Sequence, residues 1–167
     1  EIILAIAPDY VVEKKLADAY GGEGQAMDDI LNQLESGADG TGEPSAQDLE
    51  AEANSAPIIR YVDLVLYQAI NEGASDIHFE PFEADFKIRY RVDGALYEMA
   101  PPPVHLALPI LSRIKVMSNM NIAEKRVPQD GRIVKHIGEK QVDMRVSTLP
   151  TQHGESIVLR VLDRSNV

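Results

Sequence analysis

The sequence predicts an α+β fold, a mixed or antiparallel sheet with flanking helices, and three sets of stretches predict it. FKIRYRVDGALYEM alternates Phe86, Ile88, Tyr90 and Val92 with Lys87, Arg89 and Arg91 ahead of Asp93-Gly94, a strong β-hairpin signal. VDMRVS and SIVLRVL, on either side of LPTQHGE, keep the same period of two. Val142, Met144 and Val146 share one face of the first, and Ile157, Leu159 and Val161 one face of the second. PIIRYVDLVLYQAINEG and LALPILSRIKVMSNM instead space their apolar residues at helical intervals. The order is helix, three strands, helix, three strands, which is that of an α+β domain.

At 167 residues the chain is long enough for one domain with a core and some additional material. It has no initiating Met, starts in mid-strand, and reads as a piece of a longer protein. EIILAIA and PDYVVEKKLADAYGG predict a strand and a short helix, with Pro8 in the first turn and Gly21-Gly22 as the stop. That βα unit is too small to fold alone, so residues 1–22 read as the C-terminal end of a preceding domain. QAMDDILNQLES places Met27, Ile30, Leu31 and Leu34 at helical spacing, a short helix whose packing partner lies elsewhere. GADGTGEPSAQDLEAEANSAP has almost nothing to bury, so residues 23–56 read as an acidic linker with one short helix.

The net charge of −11 belongs to this first part: up to Pro57 there are 13 acids against Lys14 and Lys15, and the remainder carries 14 of each sign. The domain at 57–167 is therefore formally neutral and lacks the basic face of a nucleic-acid binder. There is no cysteine, hence no disulfide or thiolate metal site, as suits a cytoplasmic protein. No run approaches the ~20 apolar residues of a membrane helix.

Within that domain, Ile58, Val62, Val65, Leu66, Ala69 and Ile70 form one helical face that stops at Gly73. A strand follows around Asp76–Phe79, then the hairpin, then the break at Pro101–Pro103. The second helix runs over Leu106–Asn119, with Ile110, Ile114 and Met117 buried and Arg113 and Lys115 facing out. A further turn is expected at Gly138, and LPTQHGE reads as the loop between the last two strands.

Alternation puts Arg145 on the face of its strand away from the core and Arg160 on a face shared with Val158 and Leu162. Pattern alone allows two readings: ordinary surface ion pairs, or a pair of forked donors on rigid strands that suits an oxyanion such as phosphate. Asp76, His78 and Glu80 share one face of a strand read as exposed, where structural hydrogen bonding is expected rather than catalysis. The sequence holds no G-x-x-x-x-G-K-[ST] phosphate loop and no G-x-S-x-G elbow, and His78, His105, His136 and His153 lack metal-ligand spacing.

GASDIHFEPF, IRYRVDGALYE, SRIKVMSNMNIAEKRVPQDGRI and VDMRVSTLPTQHGESIVLRVLD resemble, almost continuously, the second N-terminal domain of bacterial secretion ATPases. That family comprises the type II secretion ATPase (general secretory pathway protein E) and its type IV pilus assembly relatives. The resemblance covers about residues 57–167, and residues 1–56 match more loosely as the end of the preceding domain and a linker. It implies a PAS-like domain beside a RecA-type ATPase domain in a cytoplasmic homohexamer, docked at the inner membrane through secretion platform proteins. It implies ATP and Mg²⁺ in the full-length ATPase, with this segment not catalytic alone. It also assigns Arg145 and Arg160 to the ATP phosphates, and Arg126 and Arg132 of EKRVPQDGR to structure or interdomain contact. A free-standing PAS-like module binding a ligand or protein remains the reading from a different class.

Overall fold

Alternation in the sequence becomes a six-stranded sheet: β1 (Asp76–Pro81), β2 (Phe86–Val92), β3 (Ala95–Glu98), β4 (Gln129–Ile137), β5 (Lys140–Thr151) and β6 (Gly154–Leu162). The computed structural model describes residues 27–34, 45–137 and 140–162. The expected βα unit of residues 1–22, the linker over 35–44 and the turn at Gly138 lie outside the described residues. The strand order is β3-β2-β1-β6-β5-β4, so two three-stranded meanders join where β1 pairs with β6. Every pairing is antiparallel, which settles the choice between a mixed and an antiparallel sheet.

The turn residues explain the first meander. Asp93 (φ 49°) and Gly94 (φ 82°) are both left-handed, as the twist of a two-residue hairpin requires. The second meander corrects an expectation. LPTQHGE is mostly strand, with Leu149, Pro150 and Thr151 paired to Ser156, Glu155 and Gly154. Pro150 is tolerated because β4 pairs no further along β5 than Thr148, so no third strand needs the missing N–H.

Helices fill one face of the sheet. Residues 27–34 are helical (α1), followed by α2 (Ala46–Ala53), α3 (Ala56–Asn71), a 3₁₀ turn at Val104–Leu106 and α4 (Ala107–Met117). In α3, Ile58, Val62, Val65, Leu66 and Ala69 are buried as their spacing predicts; Tyr61 joins them and Ile70 is half-buried. Gly73 (φ 73°) ends that helix, and Ala74 N donates back to Ala69 O at 2.9 Å. These residues meet Ile77, Phe79, Ile88, Met144, Val146, Ile157 and Leu159 in a single core.

Two further expectations change. The helix at 27–34 packs on this core through Met27, and not on a partner elsewhere. Within the stretch read as linker, Ala46–Ala53 forms a helix against α4, with Leu49 and Ala53 buried. Its acidity concealed two signals. Ser45 and Asp48 form a reciprocal capping box, and Leu49 and Ala53, one turn apart, suffice to seat a short helix on a neighbour. Arg113 of α4 fastens its end by donating to Asn54 Oδ1 at 2.9 Å.

Lys115 does not face out. Leu111, Lys115 and Ser118 recur at helical spacing beside the Ile110–Ile114 stripe, and Lys115 is only 1% exposed. Its Nζ donates to Glu155 Oε1 (3.0 Å), Glu155 Oε2 (2.9 Å) and Glu124 O (2.6 Å), which accounts for the donors of a buried ammonium. One side chain thereby joins α4, the start of β6 and the loop before β4. Removing one partner of such a pair strands the other charge. Glu155→Ala is expected to lose about 3–5 kcal/mol of unfolding free energy. The double variant Lys115→Met/Glu155→Leu should recover most of that loss in urea unfolding, since no buried charge is then left unpaired.

Candidate functional site

Opposite the core, the open face of the sheet carries a row of charges set by strand register. Arg91 pairs with Asp76, Asp76 with Arg160, Arg160 with Arg145, and Arg145 with Arg132. Five adjacent strands thus place four arginines and one carboxylate side by side. A concavity of about 860 Å³ lies over this row, lined by Arg132, Asp143, Arg145, Ser147 and Arg160 among others. Both arginines singled out in the sequence therefore open into one surface, and Arg132 joins them.

Gly131 holds the edge of this row in place. A Cβ there would sit 2.5 Å from Ser118 O and 2.9 Å from Ser118 Cβ, so β4 can lie against the end of α4 only with glycine at that position. Arg132, the next residue, is directed to the opposite face by the same pleat.

The arginines differ in what holds them. Arg132 is paired with Asp143 through two nitrogens, Nε to Oδ1 at 2.7 Å and a terminal nitrogen to Oδ2, and this pairing raises its pKa. Among the described residues Arg160 donates only Nε, to Asp76 Oδ1 at 2.9 Å, while its side chain is 70% exposed. Arg145 is exposed and has no ion-pair partner among the described residues. Arg126 stands apart. It is 88% exposed on the loop before β4, pairs with Glu124 at 3.2 Å, and does not line the concavity. Hydrogen bonds from the Arg126 side chain and backbone hold the Glu124 carboxyl at about 2.

Asp76 and Asp143 went unrecognised as parts of a site. Asp143 shares the face of Arg145 in VDMRVS, a visible signal, whereas the pairing of Asp76 with Arg160 depends on a register spanning 84 residues. β1 is not an exposed strand but lies between β2 and β6, and Asp76 is 7% exposed. The expected structural hydrogen bonding is present at Asp76 and Glu80 but not at His78, whose Nε2 is buried without a hydrogen-bond partner among the described residues. Asp76 accepts from Ser75 Oγ at 2.9 Å and pairs with Arg91 at 3.6 Å, and Glu80 accepts from Arg89 Nε at 2.7 Å. Burial pushes the Asp76 carboxyl up. Hydrogen bonds from Arg160 and Ser75, with the charges of Arg160 and His78, outweigh it and leave the group below its ordinary value.

An antiparallel sheet with helices on one face and a row of arginines on the other defines an α+β domain whose open face presents guanidinium groups. Comparison with known proteins gives the family. The family model described as "Type II/IV secretion system protein" matches residues 51–167, and the chain belongs to that family. It is 49% identical over 148 residues to the type II secretion system protein E of Xanthomonas campestris pv. campestris, covering 89% of this chain and 26% of that protein. It is 51% identical over 143 residues to the type II secretion system protein E of Aeromonas hydrophila, covering 86% and 28%. The type IV pilus assembly ATPase PilB of Myxococcus xanthus matches at 39% over 165 residues, covering 97% and 29%. The chain thus spans between a quarter and a third of the length of these relatives. A solved structure of the pilus retraction motor PilT with bound ADP overlaps 62% of this chain and 29% of that one. At 14% identity and a TM-score of 0.39, that overlap carries no argument.

The charge row makes a pH prediction. A carboxyl held below its unfolded value stabilises the fold above that value, about 3.9 for Asp, and loses the contribution as pH falls through the folded value. The stability gap between wild type and Asp76→Asn, followed by thermal unfolding, should be full at neutral pH and close below about pH 4. A gap constant down to pH 3 would contradict the assignment.

Proposed function

We propose that this chain is an N-terminal regulatory part of a hexameric ATPase that powers type II protein secretion. In this reading Arg145 and Arg160 reach the phosphates of ATP held by a RecA-type domain outside this chain. One observation carries the proposal: the two arginines are direct cross-strand partners on the open face and, among the described residues, one has no ion pair and the other is held by Nε alone. Fixed guanidinium groups aid phosphoryl transfer by positioning and by stabilising charge on phosphate oxygens. The sequence has no phosphate loop of its own, which fits a contributing domain and not a self-sufficient hydrolase. Asp76 and Asp143 are committed to arginines, so Mg²⁺ is assigned to the ATPase domain. Residues 1–22 are read as the end of a preceding domain, the sheet and its helices as PAS-like, and the whole as a cytoplasmic protein docked on inner-membrane secretion platform proteins. Arg126, apart from the row, is left to interdomain contact, and Arg132 to structure through Asp143.

The match to PilB over 97% of the chain supports a second reading, assembly of type IV pili. Both readings use the arginines in the same way.

In the full-length protein, Arg145→Ala or Arg160→Ala is expected to lower kcat for ATP hydrolysis about ten- to a thousandfold. Lysine at either position should restore only part of it, because the charge returns without the fork. Arg89→Ala, on strand β2 of the same sheet and paired with Glu80, should leave the rate near wild type. Stability separates the two arginines. Arg145→Ala leaves no carboxylate unpaired and should change stability by no more than about 0.5 kcal/mol, while Arg160→Ala takes one partner from buried Asp76 and should cost more. Mixing each alanine variant with a phosphate-loop variant distinguishes action on a neighbouring subunit's ATP, where activity returns, from action within one subunit. Wild-type rates for both alanine variants in assembled protein would overturn the proposal.

A further inference from the structure

The three arginines over the concavity are held in three different ways, and the difference lies in which nitrogen each carboxylate occupies. Asp143 takes Nε and a terminal nitrogen of Arg132, so that fork is closed on one side. Asp76 takes only Nε of Arg160, and both terminal nitrogens of Arg160 are unengaged among the described residues. The carboxylate is the fixed member of this pair, since the side chain of Asp76 is 9% exposed and that of Arg160 is 70% exposed.

Asp76 itself is fixed independently of Arg160. It accepts from Ser75 Oγ at 2.9 Å, pairs with Arg91 Nε at 3.6 Å, and sits on β1 between two hydrogen-bonded strands. Ser75 reinforces the same point through its backbone, donating N–H to Arg91 O at 2.8 Å and accepting from Val161 N at 2.9 Å. The anchor therefore stays in place while Arg160, held by Nε, offers its terminal nitrogens to an anion.

We infer that Asp76 is a positioning residue for the phosphate site: it holds Arg160 by Nε and turns the two terminal nitrogens outward as a ready fork. The inference rests on the phosphate reading of Arg160 and adds to it the residue that aims the guanidinium. Arg145, with no such anchor among the described residues, supplies charge beside a pre-oriented partner. A carboxylate that orients a donor without touching the ligand acts through geometry, and small misplacements of a reacting group carry large rate effects.

The test is a double-variant cycle in the full-length protein, read as kcat/KM for ATP hydrolysis. Asp76→Asn keeps the shape and removes the charge. It is expected to lower kcat/KM by roughly 3- to 30-fold when Arg160 is present, and by less than about twofold in an Arg160→Ala background. A merely structural role predicts equal losses in both backgrounds. Losses that multiply, with Arg160→Ala itself impaired, would overturn the positioning role and leave the phosphate reading standing. An Arg160→Ala protein indistinguishable from wild type would remove both. If Asp76→Asn does not yield folded protein, Asp76→Glu enters the same cycle. It keeps the charge and moves it by one methylene, and a smaller loss, again abolished by Arg160→Ala, is expected.

Discussion

The pairing of β1 with β6 is the constraint on which the rest of this molecule depends. Without it the chain is two separate meanders, each with one apolar face and two open edges. With it, Ile77 and Phe79 fall in register with Leu159 and Ile157 on the core side, and Asp76 falls in register with Arg160 on the other. Because side chains alternate strictly, the register that buries the first set also lines up the second. A slip of one residue would turn isoleucine, phenylalanine and leucine to solvent, so the hydrophobic core enforces the charge row even though it sets arginine opposite arginine. The row is a consequence of packing.

The helical layer fixes the β6 and β4 strands of that sheet. Lys115 ties α4 to the first residues of β6 and to the loop before β4, and Gly131 lets β4 close against the end of the same helix. Both contacts sit on the core side, yet they set the strands that carry Arg132 and Arg160 on the open side. Energetically the two faces are unlike. The buried ion pair is costly to break because its charges have no water to return to, whereas exposed Arg145, with no ion pair among the described residues, gives up little when it takes a ligand. This asymmetry suits a rigid frame presenting adaptable donors.

Much of this was legible in the sequence, and the failures have definite causes. Period-two runs gave the faces of β2, β5 and β6, and Asp93-Gly94 gave the first hairpin, because local sterics alone decide them. Lys115 was misplaced because a charged residue in an amphipathic helix reads as solvent-facing, and its partner Glu155 lies 40 residues away. The helix Ala46–Ala53 was hidden by its acidity, although its capping box was written in Ser45 and Asp48. Arg145 and Arg160 were placed on the correct face, but that they are neighbours of each other, of Arg132 and of Asp76 is a matter of register across distant strands. Sequence pattern reports the face a residue occupies and is silent about what lies beside it.

The most direct measurement of the central claim is a structure of the full-length protein bound to a non-hydrolysable ATP analogue. The account predicts terminal nitrogens of Arg145 and Arg160 at hydrogen-bond distance, about 2.7–3.2 Å, from phosphate oxygens, with Arg160 Nε still on Asp76. A nucleotide bound with this sheet face turned to solvent, or packed on protein with both guanidinium groups away from the phosphates, would contradict it.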